Sequence, residues 1–358
     1  MSRFYPLTVS RVHQETRDSV VLTFDVPAEH EAVFRFLQGQ YLTLRASIDG
    51  EEVRRSYSIC AATYEAQPRV GIKKVAGGVF STWANEQVVA GQVIDAMPPA
   101  GNFHVPLDES NEKHYIGFAT GSGITPLLSI LKSTLAIEKR SRFTLVCGNR
   151  ASSTIMFREE LEDLKSKFLQ RFNLIHLLSR EQQDIDLFNG RIDRDKCDQL
   201  LTHWIDPKEL DAAFICGPQS MMLQVSDSLQ AHGVDRQRIK FELFAGAEPA
   251  RRDRRQPAAE VARQSDLCEA TVIIDGRSRT FRFEKNSVTV LEAAMREGIE
   301  LPYACKAGVC STCRAMLVEG QVDMDSNQSL EDYEVARGYV LTCQSYPATD
   351  RIVVSFDT

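Results

Sequence analysis

Four cysteines, Cys305, Cys310, Cys313 and Cys343, have the residue type and the spacing to hold a metal centre. Three share the loop Cys305-Lys306-Ala307-Gly308-Val309-Cys310-Ser311-Thr312-Cys313, and the fourth follows the apolar run Gly338-Tyr339-Val340-Leu341. C-x4-C-x2-C with a distant fourth Cys is a ligand pattern of [2Fe–2S] clusters, whose two irons need converging thiolates. Gly308 and the small Ala307, Ser311 and Thr312 let backbone amides approach the sulfurs, where hydrogen bonds stabilise added negative charge. A zinc site is the alternative, but zinc sites usually pair two C-x2-C knuckles and only one is present. The cluster reading predicts electrons moved one at a time.

Two further sets of residues suit nucleotides. In Arg55-Ser56-Tyr57-Ser58, strand alternation sends Arg55 and Tyr57 to one face and Ser56 and Ser58 to the other. A guanidinium for phosphate, an aromatic ring for an isoalloxazine and a neighbouring hydroxyl suit a flavin, although an exposed strand also carries Arg and Tyr without one. Gly77-Gly78-Val79-Phe80-Ser81 has glycines before a Ser at a helix start, leaving amides free for a pyrophosphate, or else forms a plain turn. Thr120-Gly121-Ser122-Gly123-Ile124-Thr125-Pro126 follows an apolar strand and opens a helix, with Thr125 expected to cap it. Such a corner binds a dinucleotide pyrophosphate, although the third Gly of G-x-G-x-x-G is absent. Cys216-Gly217-Pro218 ends a later strand, at the sheet edge where ligands collect or where an ordinary turn sits.

The elements that must position these residues fall into three groups. Residues 1–106 show regular short strands, among them Tyr5 to Val9, Ser19 to Phe24, Tyr41 to Arg45 and Arg69 to Val75, and predict a small antiparallel β-barrel. Residues 107–247 alternate apolar strands with amphipathic helices, which predicts a doubly wound parallel α/β domain. Residues 248–266, rich in Arg, Pro and Ala, read as a linker. Residues 267–358 begin with a hairpin, pass through a helix from Val290 to Glu297 and carry the cysteine loop.

The 358 residues are 43% hydrophobic and 25% charged, ordinary for globular domains, and no apolar run approaches the roughly 20 residues of a membrane span. The start lacks a signal-peptide core, and the five cysteines outside the cluster set have no regular spacing, so a reducing cytoplasm is expected. Of the net charge of −7, residues 267–358 carry −5, from 14 acidic and 9 basic side chains. That argues against nucleic acid or an anionic membrane as partner and leaves a basic protein surface open. A redox-sensing regulator would need an output element such as a basic helix pair, and the sequence shows none.

Together these residues resemble the ferredoxin–NADP reductase superfamily along the whole chain. R-x-Y-S is met by Arg55 to Ser58, G-x-x-S by Gly78 to Ser81, G-x-G-I-T-P by Gly121 to Pro126, and C-G-P by Cys216 to Pro218. With a plant-type ferredoxin at the C-terminus, the chain resembles the oxygenase reductases. The resemblance implies a β-grasp cluster domain, FAD held by Arg55, Ser56, Tyr57, Ser58, Gly78, Val79, Phe80 and Ser81, and a nicotinamide held by Gly121, Ser122, Gly123, Thr125, Cys216, Gly217 and Pro218. It gives Ser58, Thr125 and Cys216 the catalytic positions and lets Phe244 stand over the flavin. Ser179-Arg180-Glu181-Gln182 is similar to the S-R-E-Q whose Ser and Arg hold a 2′-phosphate, which implies NADPH, with NADH the other candidate. Leu301 to Lys306, Gly338 to Gln344, Tyr57 to Cys60 and Phe214 to Pro218 look most like the reductases of phenylacetyl-CoA epoxidases. The implied partner is therefore a multicomponent di-iron oxygenase, the phenylacetyl-CoA epoxidase subunits. Docking is expected on the acidic cluster domain, with Asp323, Asp325, Glu331, Asp332 and Glu334 as contacts. Reductases of ketosteroid hydroxylases and of the hybrid-cluster protein share the domain order and are the alternatives.

Overall fold

The computed structural model describes residues 3–244 and 267–357. These form two compact units, one from Phe4 to Phe244 and one containing the C-terminal residues. The expected linker, 248–266, lies outside the described residues. Among them no helix is long and apolar enough to cross a membrane.

The first unit opens with six strands: β1 (Tyr5–Thr16), β2 (Ser19–Asp25), β3 (Tyr41–Ile48), β4 (Glu51–Ser58), β5 (Arg69–Lys73) and β6 (Val93–Ala96). They pair antiparallel in the order β4-β3-β6-β1-β2-β5, and a bridge between Ile59 and Val70 joins the two ends into a barrel. β3 and β4 meet through Asp49-Gly50, both at positive φ (54° and 83°), as a two-residue hairpin turn requires. One short helix, α1 (Val79–Glu86), sends Phe80, Trp83 and Ala84 into the barrel core beside Leu22, Phe24 and Leu42. β1 runs well past Val9, and β6 is too short for its alternation to stand out in the sequence.

A parallel sheet follows, of β7 (His114–Thr120), β8 (Arg142–Asn149), β9 (Phe172–Leu178), β10 (Ala212–Cys216) and β11 (Ile239–Glu242). Its order is β11-β10-β7-β8-β9. Strand order reverses between β7 and β10, so a crevice opens at their carboxyl ends. The helices are α2 (Ile124–Ile137), α3 (Arg158–Lys167), α4 (Arg194–His203) and α5 (Gln219–Ala231). α3 begins two residues later than Met156, because Phe157 sits in the left-handed region at φ 59°.

Helix α2 is bolted to the barrel. Ser129, Lys132 and Ser133 share one helix face by their spacing. Ser129 Oγ donates to the Ala61 carbonyl at 2.6 Å, and Ser133 Oγ accepts from Thr63 N at 3.0 Å. Between them Lys132, 5% exposed, ion-pairs with Glu65 of the barrel and Glu160 of α3. Arg69 reaches the same two carboxylates at 3.1 and 3.0 Å.

The second unit holds β12 (Leu267–Ile274), β13 (Arg277–Glu284), β14 (Arg314–Glu319), β15 (Val322–Met324), β16 (Tyr339–Leu341), β17 (Ser345–Pro347) and β18 (Arg351–Ser355). The main sheet runs β13-β12-β18-β14-β16, with β12 and β18 parallel and the other pairs antiparallel. β15 pairs separately with β17. Helix α6 (Val290–Arg296) starts in a capping box of Thr289 and Glu292 and buries Val290, Leu291 and Ala294 against Val272, Leu341 and Val354. A second helix, α7 (Asp332–Ala336), precedes β16.

Breaking a buried ion pair strands its partners, so Lys132→Met is expected to destabilise the first unit by about 3 kcal/mol in urea unfolding followed by circular dichroism. A Lys132→Met unfolding curve that overlays wild type would show that the network carries no net stability.

Candidate functional site

The cysteine loop is shaped by backbone that few residues adopt. Lys306 and Ser311 lie at φ 53° and Gly308 at 74°; the two non-glycine residues cost about 1 kcal/mol each. Hydrogen bonds hold them there. Gln344 Nε2 donates to the Lys306 carbonyl at 3.0 Å, and Ser311 is tied twice to Ser329: its N–H gives to Ser329 Oγ at 3.2 Å and its hydroxyl to Ser329 O at 2.8 Å. A Cβ on Gly308 would meet Gln344 Cγ at 2.9 Å.

The loop gathers the four sulfurs into two pairs. Cys305 hydrogen-bonds Cys310, and Cys313 hydrogen-bonds Cys343, with Cys310 electrostatically close to the second pair. The bond from Cys305 draws the Cys310 thiol down to about 6, while the same bond and then burial push Cys305 up. Cys343 is lowered by the bond from Cys313, with help from Gln344 and the Gly308 amide, and Cys313 is pushed well up. Ala307 N donates to Cys305 Sγ at 3.3 Å. Among the described residues no three His, Cys, Asp or Glu side chains converge on one ion. Four thiols within electrostatic reach of one another, bonded as Cys305–Cys310 and Cys313–Cys343, fit a binuclear cluster in which each iron takes two protein sulfurs.

On β4, Arg55 is exposed and its guanidinium donates to the Arg54 carbonyl at 2.7 Å. Ser56 Oγ lies 3.2 Å from Thr43 Oγ1, and the Tyr57 ring packs on Phe80 at 5.4 Å. Gly78 caps α1, Val79 is 49% exposed, and Phe80 is buried. The Ser81 hydroxyl is engaged by its own loop: it accepts from Val75 N at 3.1 Å and donates to Gly78 O at 3.2 Å. A Cβ on Gly77 would meet nothing within 4 Å, so this corner is open above the start of α1.

At the sheet crevice, Gly121 to Gly123 form a 3-10 turn, and α2 begins at Ile124. Thr125 is therefore inside the first turn rather than capping it. Its hydroxyl donates to Ser122 O at 2.9 Å, because Gly123 has already taken the cap position. Gly123 is required by contact, since a Cβ there would meet the Cys216 carbonyl at 2.2 Å. A Cβ on Gly217 would meet Thr120 Oγ1 at 2.4 Å, and that hydroxyl is buried with no partner among the described residues. Pro218 caps α5. An orphaned hydroxyl between two crossing glycine turns fits a bound dinucleotide.

The crevice brings together three strand ends. Ser58 ends β4, Cys216 ends β10, and Glu242 ends β11 as the register partner of Cys216. Ser58 Oγ donates to Glu242 Oε2 at 2.8 Å, joining barrel to sheet. Burial pushes the Glu242 carboxyl up to about 8, against the Ser58 bond that lowers it. The Cys216 thiol is raised well above its ordinary value, first by burial and then by Glu242. Phe244, half-buried, packs against the same core cluster as Cys216. Glu242 escapes sequence reasoning because one carboxylate at a strand end has no motif; the apolar run ending in Glu-Leu-Phe is its only signal.

Ser179 and Arg180 lie beyond β9, both exposed. Ser179 N donates to Asn149 O at 3.0 Å and Arg180 N to Arg150 O at 2.8 Å, extending the β8–β9 pairing into the loop. Of the expected docking acids, Asp323 is exposed and Asp325 and Glu331 half-buried. Glu334 is not a surface group: it is 2% exposed and ion-paired with Arg314.

Family models match the chain in three places: an oxidoreductase FAD-binding domain at residues 6–105, an oxidoreductase NAD-binding domain at 118–227, and a 2Fe-2S iron-sulfur cluster binding domain at 272–348. The chain is 44% identical over 357 residues to one subunit of the 1,2-phenylacetyl-CoA epoxidase of Escherichia coli (strain K12), covering 100% of this chain and 99% of that one. It is 32% identical to the ferredoxin reductase component of 3-ketosteroid-9-alpha-monooxygenase from Rhodococcus rhodochrous, over 99% of this chain and 97% of the relative. Among solved structures, phthalate dioxygenase reductase shares the fold, with a TM-score of 0.56 and 21% identity over 99% of this chain and 98% of that one.

Two outcomes test these assignments. Cys343→Ser should remove the iron–sulfur absorption and leave reduction of bound flavin by nicotinamide near wild type; a full iron–sulfur spectrum in that variant refutes the ligand set. Glu242 has a folded value near 8 against an ordinary 4.5, so its contribution to stability is complete below pH 4.5 and is lost as pH rises through 8. Glu242→Gln stays neutral, so its urea midpoint should fall less than wild type between pH 5 and 8.5; parallel declines would rule out a neutral carboxyl at this half-buried position.

Proposed function

The chain belongs to the oxygenase reductases, which join FAD-binding, NAD-binding and 2Fe-2S domains, and from that premise we propose that it takes electrons from NADPH for a phenylacetyl-CoA epoxidase. It is an NAD(P)H-dependent oxidoreductase. The observation that carries the reading is the convergence of Ser58, Cys216 and Glu242 on one crevice, in a chain that also pairs four cysteine thiols.

When bound, FAD accepts two electrons as a hydride and releases them singly, and the cluster accepts one. The protein's part is position. Arg55, Ser56, Tyr57 and the 78–81 turn would hold FAD. Gly121, Ser122, Gly123, Thr125, Gly217 and Pro218 would hold the nicotinamide dinucleotide. Cys216, fully buried, would fix the ring's depth in the crevice. Ser58 orients Glu242, which below about pH 8 keeps a proton on its carboxyl and so adds no negative charge to the crevice where the nicotinamide would sit. Phe244 would cover the flavin side of the crevice. Cys305, Cys310, Cys313 and Cys343 would hold the cluster.

An oxygenase as acceptor follows from the family; the epoxidase as the specific acceptor is supported by the relative that matches end to end. The ketosteroid relative, at 32% identity, supports the second reading. The irregular spacing of the five cysteines outside the cluster set supports a reducing cytoplasm as its location. NADPH over NADH is supported by the exposed Arg180 guanidinium after β9, where contact with a dianionic phosphate is worth on the order of 1–3 kcal/mol.

Mixing the holoprotein with purified epoxidase subunits and phenylacetyl-CoA should give epoxide at the expense of NADPH, and turnover should fall as salt rises because charge steering is screened over about 8–10 Å. Absence of coupled epoxide formation would overturn the acceptor. Arg180→Ala should lower the NADPH:NADH ratio of kcat/KM at least about fivefold. An unchanged ratio would overturn the NADPH assignment.

A further inference from the structure

The loop after β9 sets an acid directly beside the guanidinium expected to meet a phosphate. Glu181 directly follows Arg180, and a free carboxylate there would repel a 2′-phosphate. The structure shows where that charge goes. Ser152 N donates to Glu181 Oε2 at 2.7 Å, and Ser152 Oγ lies 2.8 Å from both carboxyl oxygens. The backbone bond first, then the hydroxyl, hold the carboxyl below its ordinary value.

The receiving platform is itself built. Ser152 opens a 3-10 turn, Ser152–Thr154, in which Thr154 Oγ1 accepts from Ala151 N at 3.2 Å and donates to Ala151 O at 2.7 Å. Of the cations around it, Arg158 pairs with Glu162 at 2.9 Å and also faces the Glu181 carboxylate. Arg150 and Arg180 are adjacent through the Arg180 N to Arg150 O bond, and among the described residues neither guanidinium has a partner. The next acid along, Asp184, lies beyond Gln183, whose amide is fixed to the carbonyls of His176 and Phe188 at 3.1 and 2.7 Å.

We propose that the Ser152–Glu181 latch is a specificity determinant for the phosphorylated cofactor: it holds the loop's own carboxylate on the 152–154 turn and leaves Arg150 and Arg180 as the unopposed charges at this edge. The inference rests on the NADPH reading given above. Glu181 and Ser152 are positioning residues.

The test is steady-state reduction of ferricyanide by the holoprotein with NADPH and with NADH. Ser152→Pro removes both the N–H and the hydroxyl that hold Glu181, at the first position of a turn whose preceding Ala151 is extended. It should raise KM for NADPH about fivefold, the scale of a like-charge encounter screened by water, with kcat and both NADH constants unchanged. Glu181→Gln, which keeps an acceptor for Ser152 but removes the charge, should leave KM for NADPH at or below wild type. The double variant Ser152→Pro/Glu181→Gln should bring that KM back to within about twofold of wild type, because no charge remains to be released. A double variant as impaired as Ser152→Pro would reduce the latch to scaffolding and overturn the proposal, as would an unchanged KM in Ser152→Pro. Arg180→Ala separates the two levels: if it lowers the NADPH:NADH ratio while Ser152→Pro does not, the latch alone fails; if neither changes the ratio, the NADPH reading fails with it.

Discussion

Lys132 is the constraint on which the first unit's geometry depends. A buried ammonium between Glu65 and Glu160, with Arg69 on the same carboxylates, ties the barrel, α2 and α3 to one point. Directional charge contacts in a dry setting tolerate little displacement, so they hold α2 in register where apolar packing alone would let it slide. The glycine turn at the head of that helix inherits the register. Gly71 of β5 shows how close the approach is, since a Cβ there would meet Thr125 Cγ2 at 2.8 Å.

With α2 fixed, strand ends from two sheets meet. Ser58 arrives from an antiparallel barrel, Cys216 and Glu242 from neighbouring parallel strands, and one 2.8 Å hydrogen bond crosses between them. Their chemistry follows from enclosure. Desolvation raises both the thiol and the carboxyl, so the crevice presents two neutral groups where solvent would have left an anion at Glu242. In the cysteine loop one thiol of each pair donates to the other, which eases a charge on Cys310 and Cys343 and pushes Cys305 and Cys313 up.

What could be read from the sequence was what is local in the chain. The cysteine spacing, the glycine turns and the change from strand repetition to strand–helix alternation all express short-range geometry, and the barrel, the doubly wound sheet and the ferredoxin-like unit followed from them. Thr125 misled because a Thr before Pro suits a helix cap, whereas Gly123, pressed against the Cys216 carbonyl, had already started the turn. Glu242, Ser329, Gln344 and Lys132 were out of reach. Each acts through a residue distant in the chain, and nothing about a single Glu, Ser, Gln or Lys announces such a partner. Glu334 shows the converse, an acid that reads as surface until Arg314 is found beside it.

The pairing of Cys313 with Cys343 has a thermodynamic side. Cys305, Cys310 and Cys313 are already neighbours in the chain, but Cys343 comes from beyond β14, β15 and α7. A metal centre that spans them closes that whole segment into a ring and removes loop-closure entropy from the unfolded chain, as a cross-link does. With the cluster bound as proposed, iron retention and folding of the C-terminal unit would be coupled. Oxidative loss of iron would loosen the unit that hands electrons on, while the barrel and parallel sheet, with no sulfur bridge in their cores, keep their fold.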